Sequence, residues 1–134
     1  MAAAPIFSVA TNALATANVA AANTARDGTG TIVTLVTAVA AGTIVRAVQF
    51  KATTTTAAGC LVLFVSSDSG TTWRAIDEVT VAAITPSTTV PSWSLTWRPA
   101  DPLGLVLPAS TWRLGFTSTI AQSINAIAMG GDLT

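Results

Sequence analysis

Eight residues constrain this chain more than any others: Ser66-Ser67-Asp68-Ser69-Gly70-Thr71-Thr72-Trp73 lies between two runs that both read as β-strands. Before it, Cys60-Leu61-Val62-Leu63-Phe64-Val65 is apolar at every position, as expected of a strand covered on both faces. After it, Trp73 to Val81 has mixed faces. The stretch between them is predicted to be a hairpin turn. Asp68 is suited to accept hydrogen bonds from turn amides, Gly70 takes a positive φ without a Cβ penalty, and Trp73 covers the base of the turn. Asp68, Gly70 and Trp73 are therefore read as structural hairpin residues.

From residue 31 onward, turn signals recur at roughly 8 to 12 residue intervals, the spacing of an all-β domain. Thr31 to Val39 is a β-branched strand that Ala40-Ala41-Gly42 turns into Thr43 to Thr53. In that second strand strict alternation places Ile44, Val48 and Phe50 on one face with Arg46 among them, and Gln49 and Lys51 on the other. Ser92 to Arg98 alternates most cleanly, with Trp93, Leu95 and Trp97 opposite Ser94, Thr96 and Arg98. Pro86, Pro91, Pro99, Pro102 and Pro108 mark corners and strand ends. Leu103 to Pro108 is a short strand; Trp112, Leu114 and Phe116 share a face of the next, and Ser123 to Met129 is the last. The reading is about eight strands and no helix. It predicts a single antiparallel β-sandwich over residues 26–134, jelly-roll-like or Ig-like, with a barrel as the alternative.

Residues 1–25 differ. They hold eleven alanines with Thr, Asn and Ser between them, and no stripe of large side chains repeats with helical period. Only Ile6, Phe7 and Val9 offer bulk for packing. The segment is expected to be an extended N-terminal arm, with Ile6, Phe7 and Val9 as its contact residues on a neighbouring subunit.

Apolar residues make up 51% of the chain and charged residues only 9%, with a formal net charge of zero. Little charge is available for a solvated surface, so self-association or docking on a large partner is expected. The six cations Arg26, Arg46, Lys51, Arg74, Arg98 and Arg113 do not cluster, which argues against nucleic acid as a partner. No run reaches the length of a membrane span, and the N-terminus lacks the basic start of a secretory signal. The single cysteine, Cys60, is read as a small core hydrophobe.

Chemistry is sparse. There is no histidine and no tyrosine, which removes the commonest general base and zinc ligand. Asp77 and Glu78 are adjacent on a strand and so point to opposite faces, poor geometry for a shared acid and base. Asp27, Asp101 and Asp132 lie in loops without an oxygen-rich calcium pattern, and Gly28-Thr29-Gly30 leads into no helix. No catalytic, metal or cofactor residues are assigned. Trp73, Trp93, Trp97 and Trp112 suit either packing or stacking on sugar rings, with packing preferred for those in apolar alternation.

The eight residues of the turn match the Asp-box pattern at every defined position and resemble the boxes of sialidase propellers. Those recur once per blade, and this chain has one copy, so the match speaks for a local shape. A wider resemblance rests on Arg26-Asp27-Gly28-Thr29-Gly30, Ala83-Ile84-Thr85-Pro86-Ser87 with Val90-Pro91, Gly104-Leu105-Val106-Leu107-Pro108, and Asn125-Ala126-Ile127-Ala128 with Gly130-Gly131-Asp132. Across residues 26–132 the chain resembles small β-rich proteins encoded among tailed-phage structural genes, and in character it is similar to capsid decoration or cement proteins. That resemblance implies a non-enzymatic virion protein, made in the host cytoplasm and sited on the outer capsid surface. It further implies a homotrimer that braces the major capsid protein, often with an ordering N-terminal arm. A tail or head-fibre component is the nearest alternative, and a carbohydrate-binding module is one of a different class.

Overall fold

The computed structural model describes residues 11–133. Among them are nine strands and no helix: β1 (Thr11–Val19), β2 (Val33–Thr37), β3 (Thr43–Ala52), β4 (Gly59–Ser66), β5 (Arg74–Val81), β6 (Ser94–Trp97), β7 (Leu105–Leu107), β8 (Arg113–Ser118) and β9 (Ile124–Asp132). The first sheet has the order β1-β9-β3-β6, with β7 also paired to β3; the second has the order β2-β8-β4-β5. All ladders between strands are antiparallel.

The order has a simple logic. β1 pairs β9, β2 pairs β8, β3 pairs β6 and β7, and β4 pairs β5. The chain is one long nested hairpin rolled over so that its paired arms fall alternately into two sheets, which is the jelly-roll form of the β-sandwich. The turn at Ser66–Trp73 is the tip of that hairpin, where consecutive strands stay in one sheet.

Between the sheets lies the main core. Phe50 of β3 and Phe116 of β8 meet with ring centroids 5.5 Å apart at 59°, a tilted pair of the favoured kind. Leu61, Leu63, Leu107, Leu114 and Ile124 surround them, all fully buried. Trp93 and Trp97 project into the same core, as their alternation with Ser94 and Thr96 requires. Ile44, in contrast, does not share a face with Val48 and Phe50. The β3–β9 register shifts between Val45 and Ala47, so Arg46 is the extra residue of a bulge and Val45 takes the core position. Gly130 lies opposite this bulge, where a Cβ would collide with the Ile44 carbonyl.

β4 is covered on both faces, as its unbroken apolar run demands. Leu61 and Leu63 face the main core, while Val62 and Phe64 form a second, smaller core with Trp73, against which Ile32 packs. The cover is the loop of residues 20–32, folded across the outer face of the second sheet. Asn23 ties it down: its backbone amide donates to the Ser118 carbonyl at 2.8 Å. The Asn23 Nδ2 donates to the Thr29 and Thr31 carbonyls, and its Oδ1 accepts from the Ala25 amide. Gly28, at φ +89°, lies so close to the Trp73 carbonyl that no Cβ fits. Cys60 is half-buried and not a core residue, because it stands near the start of β4, at the end away from the turn and outside the second core.

The N-terminal arm expected over residues 1–25 is corrected in its second half. Thr11–Val19 is an edge strand of the first sheet, with Val19 buried in the main core. Its Ala, Thr and Asn side chains carry no helical stripe, but β9 offers a ladder partner and the main-chain hydrogen bonds decide the outcome. Residues 20–25 belong to the covering loop. Ile6, Phe7 and Val9 lie outside the described residues.

Candidate functional site

The hairpin turn is built as its sequence implies. Asp68 Oδ1 accepts from the Thr72 amide at 2.8 Å and from Ser66 Oγ at 2.8 Å, and Ser66 Oγ in turn accepts from the Gly70 amide at 2.9 Å. These donors hold the Asp68 carboxyl below its ordinary range, the Thr72 amide contributing most. Ser69 and Gly70 both have positive φ, 61° and 87°. The Ser69 amide donates to the Thr111 carbonyl at 2.8 Å, fastening the turn to the segment that leads into β8. Asp68, Gly70 and Trp73 thus fix a shape and hold the second core closed.

Three of the four tryptophans are committed to packing. Trp93 and Trp97 are each 5% exposed and Trp73 is 9% exposed, so none presents a ring face for stacking on a ligand. Trp97 Nε1 donates to Asp77 Oδ2 at 2.8 Å, closing one side of the sandwich between β6 and β5. Trp112 is half-buried and packs in part on the main core.

Asp77 and Glu78 diverge as adjacent strand residues must. Asp77 engages Trp97, whereas Glu78 accepts from Arg26 Nε at 2.5 Å and Nη2 at 3.2 Å. Bonding to Glu78 raises the Arg26 pKa. Both partners of this pair are solvent-exposed, so it positions the covering loop more than it stabilises the fold. Asp27 instead accepts from the amide and hydroxyl of Thr29, which lowers its pKa. Among the described residues no three His, Cys, Asp or Glu side chains come together to hold a metal ion.

What distinguishes the molecule is the unequal finish of its two outer faces. The second sheet is roofed by residues 20–32 and Trp73, whereas the first has no such cover among the described residues. Two rows of exposed side chains cross it in register: Asn18, Asn125, Lys51 and Ser94 in one, and Thr16, Ile127, Gln49 and Thr96 in the other. Asn18 Nδ2 donates to Asn125 Oδ1 at 2.8 Å along the first row. Lys51 is the only charge in either row. Toward the other end of the face stand Ile44, half-buried, and its ladder neighbour Val106, 47% exposed, with Leu103, 80% exposed, in the adjoining loop. The alternation of Asn125 and Ile127 with buried Ala126 and Ala128 could have pointed to this face. The strand that completes it, β1, had no such signal.

No protein-family model matches the chain, and no curated protein matches it. Among solved structures, the chain is similar to a carbohydrate-binding module from glycoside hydrolase family 9 (Cel9A) of Ruminococcus flavefaciens FD-1. The TM-score is 0.43 at 12% identity, over 93% of this chain and 97% of that one.

Proposed function

We propose that this protein is a non-enzymatic virion component that docks on the outer surface of a phage capsid and stabilises the shell. The observation that carries the reading is the outer face of the first sheet, which has no cover among the described residues and only Lys51 as a charge in its two rows, beside a second sheet that the chain roofs for itself. A flat array of amide and hydroxyl groups, with exposed Val106 and Leu103 toward one end, suits a large protein surface, where hydrogen bonds and apolar burial act together. The sequence resemblance to decoration proteins supplies the partner, the major capsid protein. The low charge of the chain supports a homo-oligomer, taken as a trimer. Docking a folded partner stabilises the shell by mass action.

The test is co-sedimentation with undecorated tailed-phage capsids assembled from the cognate major capsid protein. The intact protein should saturate the capsids. Gln49→Glu with Thr96→Glu, which places like charges side by side on the bare face, should abolish attachment while leaving the fold intact. Saturation by the double variant at the concentration that suffices for the parent would refute the assignment of this face.

A further inference from the structure

A groove of about 280 Å³ opens beside the hairpin turn, lined by Ser67, Asp68 and Thr72 of the turn, Arg74 and Ile76 of β5, and Trp112. We infer that it is a binding site for a neutral sugar ring, a function separate from capsid docking and on different residues from the bare face.

The backbone on both sides of the groove is tied down by hydrogen bonds. The Ser69 amide binds the Thr111 carbonyl, the Trp112 amide donates to the Ala109 carbonyl at 3.0 Å, and the Trp112 carbonyl accepts from the Ala38 amide at 3.1 Å. Trp112 and the turn are therefore held in fixed relation, the preorganisation that a weak ligand needs. The lining supplies both halves of what a pyranose presents. An indole π-face is electronegative and attracts the C–H bonds on the apolar side of the ring. Hydroxyls on its edge need a mixture of donors and acceptors, and Ser67, Thr72, Asp68 and Arg74 offer both kinds.

Two further points favour a neutral ligand. Asp68 and Arg74 contribute one negative and one positive charge to the same groove, so it carries no net charge to select an ion. The Arg74 guanidinium is exposed and lines the groove, where its planar donors can meet ligand oxygens. Of the four tryptophans, Trp112 is the one that is half-buried and not fully buried, packing on the main core with only part of its surface.

The experiment is a titration of the ¹⁵N-labelled full chain with neutral gluco-, manno- and galacto-oligosaccharides and with the matching uronic-acid oligosaccharides, followed by NMR. At least one neutral oligosaccharide should move the signals of Ser67, Thr72, Arg74 and the Trp112 indole N–H, leaving those of Trp93 and Trp97 unmoved. Arg74→Ala and Trp112→Ala should each weaken that binding by roughly tenfold or more. Arg74 is exposed, so Arg74→Ala decides the matter should Trp112→Ala fail to fold. The inference is overturned if no neutral oligosaccharide binds at millimolar concentration, if only the uronic acids bind, or if binding survives Arg74→Ala. None of these outcomes bears on co-sedimentation with capsids.

Discussion

Replacing Trp73 by Ala tests whether the second core is a structural element in its own right. The ring is 9% exposed and packs with Val62 and Phe64, with Ile32 against them. Removing a buried aromatic typically costs about 3 to 5 kcal/mol, the lower end applying where neighbours can collapse into the gap. Here the roof is a loop and can settle, so a loss of about 3 kcal/mol is expected, a substantial part of the 5 to 15 kcal/mol that stabilises a typical domain. For 134 residues the unfolding entropy is about 0.28 kcal/mol/K, so Tm should fall by roughly 10 °C. Urea unfolding followed by circular dichroism measures the loss, and Trp73→Phe should recover more than half of it. A double-mutant cycle with Ile32→Ala should give a coupling of at least about 0.5 kcal/mol, since the two side chains share one cluster. A loss below about 1 kcal/mol, or strict additivity with Ile32→Ala, would show that the loop lies on the sheet without being held by it.

Three further outcomes are expected. Gly70→Val forces a β-branched residue to φ 87° and should cost about 1 to 3 kcal/mol in thermal or urea unfolding; its Cβ has room, so the penalty is one of backbone strain. Asp68 has a folded-state pKa below its unfolded value, so its contribution is complete above the unfolded value and is lost as pH falls through the folded one. The stability curve should therefore decline below about pH 4, and Asp68→Asn should flatten that limb. Deleting residues 1–19 removes β1 with buried Val19 and leaves β9 as a free edge; a lower Tm and concentration-dependent association in sedimentation are expected.

Much of the fold could be read because alternation with period two survives wherever one face is dry. The strand of Trp93, Leu95 and Trp97, the doubly covered run of β4, and the face shared by Leu114 and Phe116 all kept their pattern in the structure. The reading failed where a backbone feature outweighed side-chain pattern. The bulge at Arg46 exchanged Ile44 for Val45 in the core, and no residue type in that stretch announces a bulge. β1 was read as an arm because Ala, Thr and Asn carry little hydrophobic signal; what makes it a strand is the ladder offered by β9, more than a hundred residues away in sequence. The outer face of the first sheet was illegible for the same reason, since it exists only once β1, β9, β3 and β6 lie side by side. Trp112 was visible as a residue, but its separation from the other three tryptophans depends on how the turn and β8 meet.

The central claim, that the first sheet's outer face docks on a capsid, is tested most directly by hydrogen exchange on the protein free and bound to undecorated capsids. The account predicts added protection across β1, β9, β3 and β6, with the loop of residues 20–32 and β5 unchanged. Protection confined to the roofed second sheet, or no protection because the capsids are not bound, would contradict it.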